Sequence, residues 1–249
     1  MRQATDALIQ ILVAPACPGC DRPLDTPLDG PVCATCWDTV RTAAAPQCRT
    51  CGAPLPSWRT IDAASAQCAP CRRTRQVVDA GLSAGEYAGP LRGIIHAFKY
   101  EGRRSLARPL GIRMRRAGAE LLQGAHCAVP VPLHPGRLLR RGFNQASDLA
   151  GQLELPVVRA LWRSTATVPQ AGLTAGARWR NVRSSFAASP LIRPRQRALL
   201  EDRVVVLVDD VRTTGATLNA CARVLKTCGA REVRALTAAR APNPERGPA

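Results

Sequence analysis

The chain has 249 residues, enough for one well-buried core and a small extra module. Lysine and arginine number 35 against 18 acids, a formal charge of +17. That balance favours polyanionic ligands, either phosphorylated metabolites or nucleic acid, although an Arg- and Ala-rich composition gives the same excess by itself. No apolar run approaches the ~20 residues of a membrane helix, so membrane insertion is excluded as an expectation.

Taken in order, residues 7–13 predict a short amphipathic helix that docks on the rest of the protein. Apart from Arg2 it lacks a basic leader, so a cytoplasmic location is expected. Eight of the eleven cysteines then form four Cys-x-x-Cys pairs: Cys17/Cys20, Cys33/Cys36, Cys48/Cys51 and Cys68/Cys71. Zn²⁺ takes four sulfurs in a tetrahedron at ~2.3 Å, so four pairs supply two structural Zn²⁺ sites. Sequential pairing puts Cys17, Cys20, Cys33 and Cys36 on one ion and Cys48, Cys51, Cys68 and Cys71 on the other. Spacing leaves a cross-braced pairing open. Disulfides fit poorly without a secretory signal, and an iron–sulfur cluster does not call for eight cysteines in so regular a pattern. Closed Cys₄ sites are not catalytic, and the module reads as a stapled docking unit. Nucleic-acid contact by its surface is the lesser reading, with only Trp37 and Trp58 and no dense basic cluster before Arg72, Arg73 and Arg75.

The basic linker 72–76 marks the expected boundary between a cysteine-rich unit, 1–76, and an α/β unit, 77–240. Residues 77–87 predict a strand. Leu91, Ile94, Ile95 and Phe98 recur at helical spacing up to Lys99. A second helix is expected over 105–122, with Arg113, Arg115 and Arg116 on a solvated face. Residues 127–131 predict a short buried strand stopped by Pro130 and Pro132. Behind it come a Pro/Gly turn, Arg137, Arg140, Arg141 and a helix start with Asn144 at the N-cap. Strand end, turn and three arginines together make a candidate anion site, suited to a departing pyrophosphate; a solvated turn would also carry three arginines.

Residues 157–162 predict a further strand, with Trp162 packed. The polar stretch 163–183 is either a mobile lid or an irregular connection. Val204 to Val208 are five apolar residues in a row, the pattern of a parallel strand buried on both faces. Asp209 and Asp210 follow, and then Thr213, Thr214, Gly215, Ala216 and Thr217. Leu218, Cys221, Ala222 and Leu225 recur at helical spacing up to Gly229, and 233–236 predict another strand. Small residues at a helix start let backbone N–H groups and the helix dipole meet a phosphate. Two adjacent carboxylates suit sugar hydroxyls or a metal held with them. Phosphate beside a diol describes a ribose 5-phosphate. Cys127, Cys221 and Cys228 lie on apolar faces and read as core; His134 reads as shaping its turn. Residues 241–249, with two prolines beyond Ala241 and a third at Pro248, read as a disordered tail.

The Asp-Asp/Thr-Thr-Gly-Ala-Thr stretch resembles the binding loop of type I phosphoribosyltransferases, which take phosphoribosyl pyrophosphate (PRPP). Together with Phe98-Lys99-Tyr100-x-Gly102, Val129-Pro130-Val131-Pro132-Leu133-His134-Pro135 and Arg140-Arg141-Gly142-Phe143-Asn144-Gln145, the chain resembles the ComF (GntX-like) family. Thr167-x-x-Gln170-x-x-Leu173, Arg178-x-x-Asn181 and Phe186 extend the match. The resemblance implies a double zinc ribbon followed by a doubly wound, mostly parallel α/β sheet of the type I phosphoribosyltransferase kind. It implies that Asp209 and Asp210 hold the ribose hydroxyls and residues 213–217 the 5-phosphate, with Mg²⁺ accompanying PRPP. Lys99, Arg137, Arg140 and Arg141 would then face the pyrophosphate. The family also implies a link to natural transformation, with single-stranded DNA or the competence machinery as partner. The alternative is a sensor or single-strand-handling factor that keeps the pocket without turnover. Arg212 departs from the smaller or aromatic residue that relatives often carry there.

Overall fold

The computed structural model describes residues 5–6, 9–10, 13–42, 45–55, 66–163 and 185–242. In chain order its elements are α1 (Ala34–Asp38), α2 (Ala69–Arg73), β1 (Ala80–Ser83), α3 (Gly89–Tyr100), α4 (Ala107–Ala117), α5 (Ala119–Leu122), β2 (Cys127–Pro130), α6 (Pro135–Arg141) and α7 (Gln145–Ala150). They continue with β3 (Leu161–Arg163), β4 (Phe186–Ala188), α8 (Pro194–Arg197), β5 (Val204–Arg212), α9 (Ala216–Thr227) and β6 (Glu232–Arg240). Four strands form one sheet in the order β1-β6-β5-β2, every neighbouring pair parallel. Val157 bridges in parallel to Ala128 on the free edge of β2. A separate two-stranded sheet pairs β3 with β4 antiparallel.

Parallel strands need crossovers, and the crossover helices cover both faces. Strand alternation sorts the core into two halves. Val206 and Val208 of β5, with Leu236 and Ala238 of β6, meet Leu91, Ile94, Ile95 and Phe98 of α3 and Leu110 and Met114 of α4. Val205 and Leu207, with Val233 and Ala235, meet Leu218, Cys221, Ala222 and Leu225 of α9 on the opposite face. The expected doubly wound sheet is present. Among the described residues no helix is long and apolar enough to cross a membrane.

Several boundaries differ from expectation. The strand expected over 77–87 is confined to β1, because residues outside it turn away to the linker and to a single bridge from Glu86 to Arg240. The helix expected over 105–122 is a 3₁₀ turn, Arg104–Leu106, then α4, a break at Gly118, and α5. Arg113 does not lie on a solvated face: its guanidinium stacks 5.6 Å from the Trp37 ring and donates to the carbonyls of Trp37 and Val40. Trp162, expected to pack, is 43% exposed, since it points away from the core on the short β3. Cys127 and Cys221 are buried as expected, and Cys228 is partly so. The stretch carrying Thr167, Gln170, Leu173, Arg178 and Asn181, like Trp58, Trp179 and 243–249, lies outside the described residues.

The two cysteine-rich knuckles repeat one local geometry. Cys17 N–H donates to Arg22 O, and Asp21 N–H returns to Cys17 O. Likewise Cys48 N–H donates to Ala53 O, and Gly52 N–H returns to Cys48 O. The N-terminal segment docks on the first knuckle, with Gln10 Nε2 donating to Leu24 O and Asp25 O. That knuckle joins the main core, where Cys17, Leu24, Val32, Cys36 and Val40 pack with α3 and α4. Contact with α3 is made at Gly93, where a Cβ would run into the carbonyl of Pro18.

Gly93→Ala therefore sets overpacking against backbone, ~1–3 kcal/mol, against the ~1 kcal/mol by which alanine favours a helix. Backbone cannot swing aside as a side chain can, so urea denaturation should show the variant less stable by about 1–2 kcal/mol. Unchanged or raised stability would mean that the first ribbon does not sit on α3.

Candidate functional site

The eight cysteines form two groups, Cys17/Cys20/Cys33/Cys36 and Cys48/Cys51/Cys68/Cys71, with all sulfurs of a group within 4.8 Å of one another. This is the sequential pairing, and it removes the cross-braced alternative. In each site the first pair comes from a knuckle and the second from a helix start: Cys33 is the N-cap of α1 and Cys68 that of α2. The Sγ atoms of Cys20 and Cys33 lie 3.9 Å apart, those of Cys51 and Cys68 3.6 Å. Four sulfurs ~2.3 Å from one tetrahedral ion are separated by ~3.8 Å, so both groups fit Zn²⁺ without rearrangement. These are two Cys₄ zinc-binding sites. Arg22 already favours thiolate in the first, its backbone and side chain pulling Cys20 down to about 6 by hydrogen bonding.

The second centre is built where β5 gives way to α9. The strand is longer than its apolar run suggests and includes both acids. Asp210 Oδ1 is paired with Lys99 Nζ at 2.9 Å, both side chains being largely buried. Asp209 accepts from the N–H of Asp210 at 2.8 Å. Burial, and then the neighbouring Asp210, push the Asp209 carboxyl up to about 7, while Lys99 and the Asp210 N–H oppose the shift. Burial also pulls Lys99 down, but attraction and hydrogen bonding from Asp210, with Asp209 behind it, leave it raised. Gly215 takes φ +79°, the left-handed conformation, and caps α9. Thr213 and Thr214 are exposed, Thr217 is half-buried, and Thr214 Oγ1 accepts from Ala216 N–H at 3.3 Å. The remaining N–H groups of a helix's first turn have no partner within the helix, which leaves donors beside the acids.

The loop after β2 reaches the same end of the sheet, because β2 pairs with β5 and Val131 N–H donates to Val208 O. Asn144 caps α7 as expected, accepting from Ala146 N–H and donating to Val131 O. The expected Pro/Gly turn is the first turn of helix α6, and His134 is its N-cap, Nδ1 accepting from Gly136 N–H. Of the three arginines, Arg140 is exposed, and Arg137 and Arg141 are half-buried. Arg141 stacks 4.9 Å from the exposed Tyr100 ring and donates to Gln145 Oε1. Gln145, 1% exposed, donates in turn to Lys99 O. Gln145 thus links Arg141 to the Lys99 main chain, while the Lys99 side chain reaches Asp210.

Sequence reasoning missed Gln145 and two further residues. Asn219 is fully buried on α9, donating to Gly215 O and Gln76 Oε1 and accepting from the N–H groups of Val77 and Val78. Its signal was an amide amid an apolar helical face. Arg163 lies near enough to Asp209 for their charges to interact, although burial dominates and lowers its pKa. A lone arginine at the end of a short strand gave no warning of that.

The Double zinc ribbon profile matches residues 8–72, and the Phosphoribosyl transferase domain profile matches 138–248. Competence protein F of Haemophilus influenzae is 32% identical over 222 residues, 84% of this chain and 90% of that protein. The chain belongs to the ComF family. Within the family, DNA utilization protein YhgH of Escherichia coli is 31% identical over 82% of this chain and 87% of its own length. Competence protein ComFC of Bacillus subtilis is 26% identical over 79% of this chain and 78% of its own. The ComF-family fold seen here is type I phosphoribosyltransferase-like, with the zinc ribbons N-terminal to it.

The raised Asp209 pKa has a sign that can be measured. The folded chain holds a proton at Asp209 between the ordinary value of 3.8 and about 7. This contribution to stability is complete below the lower value and lost as pH rises through the upper one. Asp209→Asn keeps the acceptor and removes the titration. In magnesium-free buffer the variant should be more stable than the parent at pH 8, by on the order of 2 kcal/mol, the difference closing towards pH 4. Parallel stability curves across that range would show that Asp209 titrates normally.

Proposed function

We propose that this ComF-family protein binds PRPP and transfers its phosphoribosyl group to a nucleophilic acceptor. The observation that carries the reading is the continuity of β5 into α9. Two acids, one ion-paired to Lys99, lead directly into a helix start capped by a left-handed glycine. Residues 213–217 would take the 5-phosphate, and Asp209 and Asp210 the ribose hydroxyls. Two largely buried carboxylates side by side are suited to a divalent cation; Mg²⁺ bound there with PRPP would supply positive charge to the pyrophosphate.

In the transfer the acceptor attacks C1 of the ribose. The bond from C1 to the pyrophosphate oxygen breaks, and pyrophosphate leaves with the electron pair. Positive charge that develops on the ring is stabilised by Asp209 and Asp210 beneath it. Arg137, Arg140 and Arg141, on α6 beyond the neighbouring strand, would receive the negative charge that builds on the leaving group. Lys99 starts on Asp210, so its share in that task follows from exchanging one anion for the other. An Asp209 with a pKa near neutrality is suited to take the acceptor's proton.

A second reading, a single-strand-handling factor that keeps the pocket without turnover, is favoured by a different observation. Tyr100 is 62% exposed and held between His96, ring centroid 4.8 Å away, and Arg141. An exposed ring beside an arginine is a platform on which a base stacks. The names of the relatives, competence and DNA utilization proteins, support a role near DNA uptake for either reading.

Calorimetric titration with PRPP, with and without Mg²⁺, separates them. Zinc-loaded protein should bind only with Mg²⁺, and Asp209→Asn with Asp210→Asn together should weaken binding by at least about a hundredfold, two charged hydrogen-bonding groups being lost. No binding by the zinc-loaded parent would sink the transferase reading. Single-stranded DNA affinity that falls linearly in log–log form with salt and is lost in Tyr100→Ala would then establish the second.

A further inference from the structure

We infer that Arg212 is a positioning residue for the 213–217 loop, charge-balanced by the zinc tetrathiolate of Cys48, Cys51, Cys68 and Cys71, so that zinc in this site holds the loop in order. The inference rests on the phosphate reading of that loop. Arg212 ends β5 and is 4% exposed. A guanidinium buried to this degree ordinarily faces a carboxylate. Here no acid pairs with it among the described residues, and its Nη1 has no hydrogen-bond partner there.

What surrounds the guanidinium are two glycines and a metal site. A Cβ on Gly215 would stand 2.8 Å from Nη2 and 3.1 Å from Cζ, so the arginine fills the space that the missing side chain leaves. The turn that starts α9 rests on it. On the other side, a Cβ on Gly81 would stand 3.0 Å from Nη1 and 2.8 Å from the carbonyl of Thr50, the residue before Cys51. Arg212 therefore spans from the candidate phosphate loop to the second zinc knuckle. Asn219 supports the same loop through Gly215 O while gripping the segment that follows the zinc module.

The charges count out. Arg212 and Arg240 are register partners across β5 and β6, two like charges side by side. Arg240 Nη1 donates to the carbonyl of Cys51 at 2.9 Å, so both guanidinia stand against the same knuckle. Burial lowers the Arg212 pKa and Arg240 adds to this, whereas the sulfurs of Cys51, Cys71 and Cys48 oppose it. Four thiolates on one Zn²⁺ carry a net charge of −2, the complement of two guanidinia. Without the metal the thiols cannot all ionise together, and the buried Arg212 is left beside the half-buried Arg240 without their counter-charge. Among the described residues the first zinc site has no such connection to the loop; it is joined to α3 and α4 through the apolar core.

Amide hydrogen exchange at Asn219, whose N–H closes the loop onto Gly215 O, tests this without any phosphoribosyl ligand, on zinc-loaded and chelated parent and on zinc-loaded Arg212→Met. Exchange should be slow in the loaded parent and at least about tenfold faster after chelation, as expected when a buried charge loses its partner. Loaded Arg212→Met should match the chelated parent and should also release one of its two zinc ions faster to a chromogenic chelator. Arg212→Lys should fall between. Slow loop exchange in loaded Arg212→Met would overturn the inference. Should that variant fail to fold, loop exchange in the parent that ignores chelation would overturn it equally. Failure of PRPP binding, by contrast, would remove the proposed function and leave this coupling standing.

Discussion

Strand β5 is the constraint on which the structure depends. It is hydrogen-bonded along both edges, to β2 and to β6, and Val204 to Val208 are buried on both faces. Such a strand is firmly held but poorly registered by its apolar residues alone, since a slip by one would exchange one valine for another. Register comes from its polar end. Shifted by one towards the core, Asp209 would enter the place of Val208 among Leu236 and Phe98, and Arg212 would lose the space between Gly81 and Gly215. The acids and the arginine that serve the site therefore also fix the strand that carries them.

The cost of that arrangement is concentrated in two adjacent carboxylates. Two negative charges on neighbouring residues, partly removed from water, repel one another. One lysine relieves only part of this, leaving Asp209 near neutrality while Asp210 is held by the ion pair. A site in this condition favours a ligand that arrives with hydroxyl donors or with a cation, because either replaces solvent lost on folding. Gln145 ties Arg141 to the main-chain carbonyl of Lys99, so the end of α6 is fixed against the helix that supplies the lysine.

Much of this was legible in the sequence because it was written in local pattern. The double-faced apolar run gave the central strand, Cys-x-x-Cys spacing gave the metal sites, and Asn144 gave its cap. What was not legible depended on distant partners. Arg113 reads as one of three surface arginines until Trp37 is placed against it, some seventy residues earlier. Asn219 resembles an interruption of an apolar face, and its four partners lie in the linker and the loop rather than on the helix. Arg212 is one charged residue after a strand, and nothing nearby in the chain tells that Gly81 and Thr50 close over it. Polar residues acquire meaning from what they face, and that is set by topology.

The two ribbons share a fold and differ in what holds them. The first contributes five buried residues to a continuous core with α3 and α4, so apolar burial keeps it in place. Among the described residues, the second has Cys48, Cys51, Ala53, Leu55 and Cys71 in a cluster of its own, three of the five being metal ligands, so its packing is inseparable from metal ligation. Its attachment to the sheet is likewise made by backbone and charge: Gly81 N–H to Arg49 O, Gly52 against Leu82, and Arg240 to Cys51 O. Contacts of that kind depend on the metal holding the knuckle in shape. The ribbon that touches the strands leading into the site is thus the one whose order follows its zinc, and a structural metal there bears on a loop it does not itself contact.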